Sequence, residues 1–214
     1  MTGDRDERTR WNARYRRLGG AEPKMTPPAA LHRMADHLPE PGRGSDLAVD
    51  LAGGHGGAGL YLGRRRFAPM VVDVSDVALG LAASRSEQLG LDLSTVRLDL
   101  DRSTLGEILG HPEFLARSGG RPPILITCFH YLQRTLLSSI ARDLPPGSTF
   151  AAAVGTTTNL ERNERPPARF LLQPGELRSL VVPGAEPIGD DLVVVHDDEG
   201  WHGTDLHEAE LVVR

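Results

Sequence analysis

The residues with the clearest chemical potential are an acid and a run of glycines that follow an apolar stretch. Residues 47–59 begin as an apolar run, carry Asp50 near its end, and continue into a glycine-rich segment. Glycine adopts positive φ readily and lets the backbone approach a bound molecule closely. The helix expected after the glycines directs the positive end of its dipole toward the same place. This pattern is typical of a nucleotide-type cofactor site.

Two classes of cofactor fit this loop. A dinucleotide fits because residues 54–59 satisfy the G-x-G-x-x-G pattern. Asp73 lies at the end of the next apolar run, at about the sequence separation from the glycines that is expected of an acid that binds the ribose. S-adenosylmethionine fits because an acid ahead of the glycines suits a positive amino group and a positive sulfonium. In dinucleotide-binding folds, the strand before the first glycine usually has no acid near its end. The presence of Asp50 therefore favours S-adenosylmethionine. A cap or turn role is the structural alternative for Asp50.

The loop resembles the first motif of class I S-adenosylmethionine-dependent methyltransferases, written D-x-G-x-G-x-G. Asp50, Gly54 and Gly56 match this motif, Gly53 lies within it, and Ala52 replaces its first glycine. An alanine costs little at that position if its backbone has ordinary β dihedrals. The departure therefore weakens the resemblance only slightly.

Two further acids resemble landmarks of the same family. By resemblance, Asp73 would hold both ribose hydroxyls, since a carboxylate accepts two hydrogen bonds at once. Asp99 would accept the adenine amino group, and Asp101 is its rival because strand alternation sends both to one side. Around these acids the resemblance implies further cofactor contacts from Val74, Leu100 and Phe129.

The resemblance extends to both ends of the chain, where it points to small methyltransferases of the tellurite-resistance type. Trp11, Arg14 and Tyr15 fit a W-x-x-R-Y segment that lies over the cofactor in such proteins. Residues 170–177 read FLLQPGEL and are similar to a late motif of the same proteins. The resemblance implies that Arg14 binds the methionine carboxylate of the cofactor, which suits the planar guanidinium.

The catalytic candidates are His130 and Tyr131, which follow the apolar run 124–129. In open parallel sheets, ligands bind beyond the carboxyl ends of the strands. These two residues directly follow the carboxyl end of the predicted strand. If the methyl acceptor must lose a proton, His130 is the first choice of base and Tyr131 the second. A soft acceptor, such as a thiol, a selenol or an oxyanion of tellurium, needs no base. A satisfied histidine and a packed tyrosine are the structural alternative.

Composition argues against several other classes. The formal net charge of −5 disfavours a nucleic-acid partner, because such binding depends on a basic face. The single cysteine, Cys128, excludes an intramolecular disulfide. The acids and histidines between His196 and His207 match no compact ligand spacing, so no metal site is predicted. No apolar run approaches the roughly 18 to 20 residues of a membrane span, so we expect a soluble, cytoplasmic protein without a membrane partner.

Apolar runs and breakers predict an α/β chain. The predicted strands are residues 46–52, 69–74, 96–100, 124–129, 149–154, 191–196 and 206–213. The predicted helices are residues 29–38, 57–65, 77–89, 104–115 and 132–144. The alternation implies a Rossmann-like, mostly parallel seven-stranded sheet with helices on both faces. A polar turn at 197–205 is too short for a crossover helix, so the last two strands should form a C-terminal antiparallel hairpin, which is typical of methyltransferases.

The length of 214 residues fits one methyltransferase domain. Its expected parts are an N-terminal cap over the cofactor and substrate (1–45), a cofactor-binding core (46–154), and a substrate loop with the terminal hairpin (155–214). Residues 155–173 form a connection long enough for a lid. The expected function is in-line methyl transfer from S-adenosylmethionine to a small-molecule acceptor, which leaves S-adenosylhomocysteine. The alternatives are an NAD(P)-dependent oxidoreductase and a non-catalytic S-adenosylmethionine-binding protein, and neither the acceptor nor the oligomeric state is readable.

Overall fold

A computed structural model describes residues 3–18, 26–42, 46–184, 192–203 and 206–214. Over this part of the chain, seven strands form one sheet in the order β3-β2-β1-β4-β5-β7-β6. The strands are β1 (Leu47–Leu51), β2 (Ala68–Asp73), β3 (Ser94–Arg97), β4 (Leu125–Phe129), β5 (Thr149–Gly155), β6 (Val194–His202) and β7 (Leu206–Val213).

Eight α-helices accompany these strands within the described ranges. They are α1 (Gly3–Leu18), α2 (Ala29–Arg33), α3 (Gly57–Arg64), α4 (Asp76–Gln88), α5 (Leu105–Leu109), α6 (Pro112–Ser118), α7 (Arg134–Asp143) and α8 (Glu176–Val181). Short 3₁₀ turns cover Ala35–His37, Thr157–Glu161 and Ala168–Phe170. None of the described helices is long and apolar enough to cross a membrane.

The first five strands pair in parallel, and β7 pairs antiparallel with both β5 and β6. Every residue of β1, β4 and β5 is buried, as expected for central strands covered on both faces. The predicted α/β fold, with a mostly parallel sheet and a C-terminal antiparallel hairpin, is confirmed.

Two apolar cores lie on opposite faces of the sheet, and alternate side chains of β1 pack into each of them. Val49 and Leu51 enter one core with residues of α5, α7 and α8, whereas Ala48 enters the other with residues of α2 and α3. Because successive side chains of a strand point to opposite faces, Asp50 shares the face of Ala48. Asp50 is thus a polar group at the carboxyl end of an otherwise apolar face.

The prediction of one helix over residues 104–115 was wrong. α5 begins with a capping box between Thr104 and Glu107, and the chain then breaks at Gly110 before α6 begins at Pro112. Proline disfavours the helical conformation in the residue before it and lacks the N–H that a continuing helix needs. The apolar period runs through the break, which is why periodicity alone did not reveal it.

The prediction of a polar turn over residues 197–205 was wrong over most of its length. β6 continues to His202, and Asp198 pairs with Glu210 within the strand ladder. β6 is an edge strand, where exposed charges are common because they discourage pairing with another chain. Thr204 and Asp205 lie outside the described residues, as does Asp191, the first residue of the strand predicted at 191–196.

Ala52, which replaces the first glycine of the loop motif, does not have the ordinary β dihedrals that we expected. Its φ is +52°, in the left-handed region. A Cβ atom in this region costs about 1–2 kcal/mol because it approaches the following carbonyl oxygen. The loop after β1 therefore contains backbone strain at the position where the related motif has glycine.

We expect Ala52→Gly to raise the free energy of unfolding by about 0.5–1 kcal/mol. Glycine removes the left-handed penalty of about 1–2 kcal/mol, and its greater freedom in the unfolded chain offsets part of the gain. Urea unfolding measures the change. The matched control is Ala83→Gly on the exposed face of α4, which should lower stability by about 1 kcal/mol. Equal destabilisation by both substitutions would contradict the strain at Ala52.

Candidate functional site

A cavity of about 670 Å³ opens at the carboxyl ends of β1, β2 and β4, beside α1. This volume lies within the range of small-molecule and cofactor sites. The predicted site residues that line it are Trp11, Arg14, Tyr15, Asp50, Ala52, Gly53, Gly54, Asp73, Val74, Asp99, Leu100, Phe129, His130 and Tyr131. Gly56 is the predicted site residue that the lining does not include.

Asp50 places a buried carboxylate beneath the loop. The Thr127 hydroxyl donates a 2.8 Å hydrogen bond to Asp50 Oδ1, and Oδ2 is buried without a hydrogen-bond partner among the described residues. Burial raises the pKa of Asp50 to about 7, although the Thr127 hydroxyl and the nearby backbone N–H of Gly59 oppose the change. An unpaired, buried carboxylate oxygen is costly unless a cation or donor meets it. A positively charged ligand group in this cavity would supply that partner.

Asp73 joins the glycine loop to the end of β2. The backbone N–H of Gly54 donates to Asp73 Oδ2 at 2.9 Å, and that of Ser75 donates to Oδ1 at 2.8 Å. Burial raises the pKa of Asp73, and these backbone hydrogen bonds partly offset the rise. Each carboxylate oxygen accepts a second hydrogen bond readily, so Asp73 retains the capacity to bind a vicinal diol.

Two glycines of the loop have distinct structural roles. Gly54 has a φ of +55°, and a Cβ atom there would overlap the Tyr15 hydroxyl. Gly56 has a φ of +84°, and a Cβ atom there would lie 2.8 Å from the Cβ of Ala82. Gly54 therefore lets α1 approach the loop, whereas Gly56 lets the loop pack on α4.

α1 is docked on the start of α4 through Asn12, a residue that the sequence analysis missed. Asn12 is buried, and its Oδ1 accepts a 2.7 Å hydrogen bond from the Ser75 hydroxyl and a 3.3 Å bond from the Val77 N–H. Arg8 and Asp76 add an ion pair at the same contact. The only sequence signal was that Asn12 lies inside the W-x-x-R-Y segment.

This docking brings the aromatic residues of α1 to the cavity. The rings of Trp11 and Tyr15 lie 6.0 Å apart, and the Arg14 guanidinium lies 5.2 Å from the centre of the Trp11 ring. Burial, together with the charge of Asp73, raises the pKa of Tyr15 to about 12. Tyr15 is thus a protonated donor near two acids.

The rim of the cavity beyond β3 carries Asp99 and Asp101. The backbone N–H of Asp101 donates a 2.9 Å hydrogen bond to Asp99 Oδ1. Both acids line the cavity, with Asp99 half-buried and Asp101 exposed.

The two catalytic candidates occupy different environments at the end of β4. His130 has a φ of +56°, and its Nδ1 lies 3.1 Å from Glu208 Oε1. Tyr131 is largely buried, and burial raises its pKa far above the usual value, so its hydroxyl stays protonated and can donate a hydrogen bond but is not available as a base. Burial also raises the pKa of Cys128 to about 12, which fits a small buried hydrophobe rather than a nucleophile.

The connection 155–173, which we expected to act as a lid, contributes none of the lining within the described residues. Its start is held in place because the Asn159 side chain bonds to the Thr156 carbonyl and to the backbone of His207. The N-terminal part of the chain lines the cavity instead, through Glu7 and the stretch 26–29.

The hairpin assembles a polar group that sequence spacing did not predict. Ligand atoms of Asp198, His202 and Glu210 all lie within 4.8 Å of one another. The register of β6 against β7 places Asp198 opposite Glu210 and leaves His202 on the same face. Glu210 also pairs with the Arg33 guanidinium, which it shares with Glu208.

Comparisons with known proteins agree with the architecture. No family model and no curated protein sequence matches the chain. An S-adenosylmethionine-dependent methyltransferase from Anabaena variabilis matches in structure at 16% identity and a TM-score of 0.61, over 100% of this chain and 95% of that one. The chain has the fold of such methyltransferases.

Two further solved structures support the same assignment of fold. A TehB-like S-adenosylmethionine-dependent methyltransferase from Corynebacterium glutamicum is 15% identical with a TM-score of 0.56, over 97% of both chains. Geranyl diphosphate C-methyltransferase from Streptomyces coelicolor, in complex with Mg²⁺, geranyl diphosphate and S-adenosylhomocysteine, is 15% identical with a TM-score of 0.57, over 86% of this chain and 78% of that one.

The raised pKa of Asp50 predicts how stability depends on pH in the ligand-free protein. The folded pKa is about 7 against an ordinary value of 3.8, so the folded state binds this proton more tightly. The contribution of Asp50 to the free energy of unfolding is therefore highest below the ordinary pKa and falls as pH rises toward about 7, by about 1.4 kcal/mol per pH unit at most. Asp73, whose pKa is also raised, contributes in the same direction. We expect Asp50→Asn to remove most of this fall.

Urea unfolding of wild type and Asp50→Asn between pH 5 and pH 8 checks this. The stability of the variant relative to wild type should increase from pH 5 to about pH 7 and level off above that. A constant difference between the two proteins would show that Asp50 keeps an ordinary pKa in the fold.

Proposed function

We propose that the protein is an S-adenosylmethionine-dependent methyltransferase that acts on a small molecule. The observation that carries the proposal is Asp50 Oδ2, a buried carboxylate oxygen without a described hydrogen-bond partner at a cavity of cofactor size. A cofactor with a positive amino group provides the cation that this oxygen lacks. The fold, including its terminal hairpin, supports a methyltransferase over a nicotinamide-dependent oxidoreductase.

The residues at the cavity fit the parts of this cofactor. In our proposal, Asp73 binds the ribose hydroxyls with the lone pairs that its backbone hydrogen bonds leave available. Asp99 or Asp101 binds the adenine amino group, and Asp50 attracts the amino group of the methionine part. Arg14 binds the methionine carboxylate, since its guanidinium lies at the cavity on the docked helix α1.

Little covalent chemistry is then required of the chain. When bound, S-adenosylmethionine supplies an activated methyl group that passes to an acceptor in line with the departing sulfur. The protein holds the two reactants in that line, and Trp11, Tyr15 and Phe129 supply aromatic walls to the cavity. The buried carboxylates of Asp50 and Asp73 favour a cationic ligand over a neutral one.

The lining also favours a small-molecule acceptor over a nucleic acid. The described lining carries the acids Glu7, Asp50, Asp73, Asp99 and Asp101. Arg14 is the guanidinium that accompanies them there. A polyanion would be repelled by this surface and by the formal net charge of −5.

Equilibrium binding by calorimetry tests the cofactor directly. We expect S-adenosylmethionine and S-adenosylhomocysteine to bind and the nicotinamide dinucleotides not to bind. A panel of thiol, phenol, alcohol, amine and halide acceptors then tests for release of S-adenosylhomocysteine. Binding without product from any acceptor supports a non-catalytic binding protein, and binding of the nicotinamide cofactors alone supports an oxidoreductase.

Asp73→Ala should weaken binding of S-adenosylhomocysteine by about 1.5–3 kcal/mol, the range for hydrogen bonds to a charged group. This is roughly a 10- to 150-fold rise in Kd. Calorimetry measures the change on protein shown to be folded by circular dichroism. The matched control is Asp92→Ala, at an exposed acid outside the cavity lining, which should leave Kd unchanged. An unchanged Kd in Asp73→Ala would remove Asp73 from the ribose contact.

A further inference from the structure

His130 contacts a buried carboxylate from a strand that is distant in sequence. Glu208 on β7 is 2% exposed, and its Oε1 lies 3.1 Å from His130 Nδ1. Glu208 Oε1 is buried, and no described residue donates an aligned hydrogen bond to it; His130 Nδ1 meets it at ion-pair distance. A buried carboxylate oxygen that faces an imidazole nitrogen at this distance favours the ring orientation and tautomer that place an N–H toward it.

Arg33 keeps this carboxylate ionised. Its Nη2 donates a 2.7 Å hydrogen bond to Glu208 Oε2, the oxygen that does not face His130. Burial by itself raises the pKa of Glu208, but the neighbouring His130 and Arg33 together lower it below its usual value. Glu208 is therefore an acceptor toward His130, which requires the proton of a neutral His130 to lie on Nδ1.

The backbone presents the ring of His130 at the cavity. His130 has a left-handed φ of +56°, which is uncommon outside glycine, and its N–H donates a 2.8 Å hydrogen bond to the Ala153 carbonyl. The side chain is 48% exposed and lines the cavity. With Nδ1 engaged by Glu208, Nε2 is the nitrogen left with a lone pair for a ligand in the cavity.

The charges that line the cavity limit which chemical class of methyl acceptor can bind there. Because the charged residues of the described lining are mainly acidic, an anionic acceptor is disfavoured there. A neutral acceptor with an O–H or N–H group avoids this repulsion, but it must lose a proton when it gains the methyl group. A base in the cavity is then useful, whereas thiols and selenols ionise without one.

We propose, resting on the proposed function, that Glu208 is a positioning residue for His130 as general base, and that the acceptor is a neutral phenol, alcohol or amine. In the reaction the acceptor O–H or N–H bond breaks and its proton goes to His130 Nε2. The electron pair of the acceptor forms the new bond to the methyl carbon, and the pair of the breaking carbon–sulfur bond stays on sulfur. Glu208 stabilises the resulting imidazolium, which releases its proton to solvent.

The first test determines the tautomer of His130 and does not require catalytic turnover. Nitrogen-15 spectra of the complex with S-adenosylhomocysteine, assigned with His130→Gln, should show neutral His130 protonated on Nδ1. Glu208→Gln should convert it to a mixture of tautomers. Glu210→Gln is the matched control, because Glu210 is equally buried and also paired with Arg33, while its histidine contacts are His196 and His202. A tautomer on Nε2 in wild type, or equal changes in both variants, would overturn the pairing.

The second test measures turnover of the thiol, phenol, alcohol, amine and halide acceptors. Release of S-adenosylhomocysteine should occur with neutral phenols, alcohols or amines, and Glu208→Gln should lower kcat on the order of 100-fold with little change in KM. Turnover of a thiol should change little in Glu208→Gln, and Glu210→Gln should retain turnover with both acceptor types. Turnover restricted to thiols, or no turnover of any neutral protic acceptor, would overturn the inferred acceptor class. Failure of the proposed function is distinguished from this result, because it would appear as absence of S-adenosylmethionine binding.

Discussion

The carboxylate of Asp73 is the contact on which the geometry of the site depends. It accepts backbone hydrogen bonds from Gly54 in the loop after β1 and from Ser75 at the start of α4. Ser75 in turn caps α4 through the Ala78 N–H and donates its hydroxyl to Asn12 of α1. One buried acid therefore links the glycine loop, a helix start and, through Ser75, the helix that closes one side of the cavity.

The buried acids of this fold are compensated in different ways. Glu208 and Glu210 share the guanidinium of Arg33, and the pKa of Glu208 is lowered despite burial. Asp50 has the Thr127 hydroxyl on one oxygen, has no described hydrogen-bond partner on the other, and its pKa is raised to about 7. A buried charge without a partner is expensive, so this contrast separates an acid with an internal structural partner from one suited to an external cation.

Local sequence patterns were sufficient where the structure depends on neighbours in the chain. The parallel strands, the acids at strand ends and the starts of α2, α3, α4, α5 and α7 follow from alternation, capping and breakers, and the placement of the strands in one sheet was predicted correctly. The helices α1, α6 and α8 were not among the predicted ones. The helix over 104–115 was wrong because a Gly110–Pro112 break interrupts a continuous apolar period. The dihedral of Ala52 was wrong because its left-handed φ is imposed by the loop that joins β1 to α3, and residue type alone predicts the opposite.

By itself, the sequence determined the α/β class, the order of strands along the chain and most residues of the cavity, because a strand end, a glycine loop and a following helix are consecutive and their chemistry is local. Only the tertiary structure decided which distant groups meet there. Asn12 meets Ser75 because α1 docks on α4, and Glu208 meets His130 because β7 pairs antiparallel with β5, so that Glu208 lies opposite Gly155. These contacts depend on the docking of helices and the register between strands, which arise from burial of both faces of the sheet and leave no signature in residue spacing.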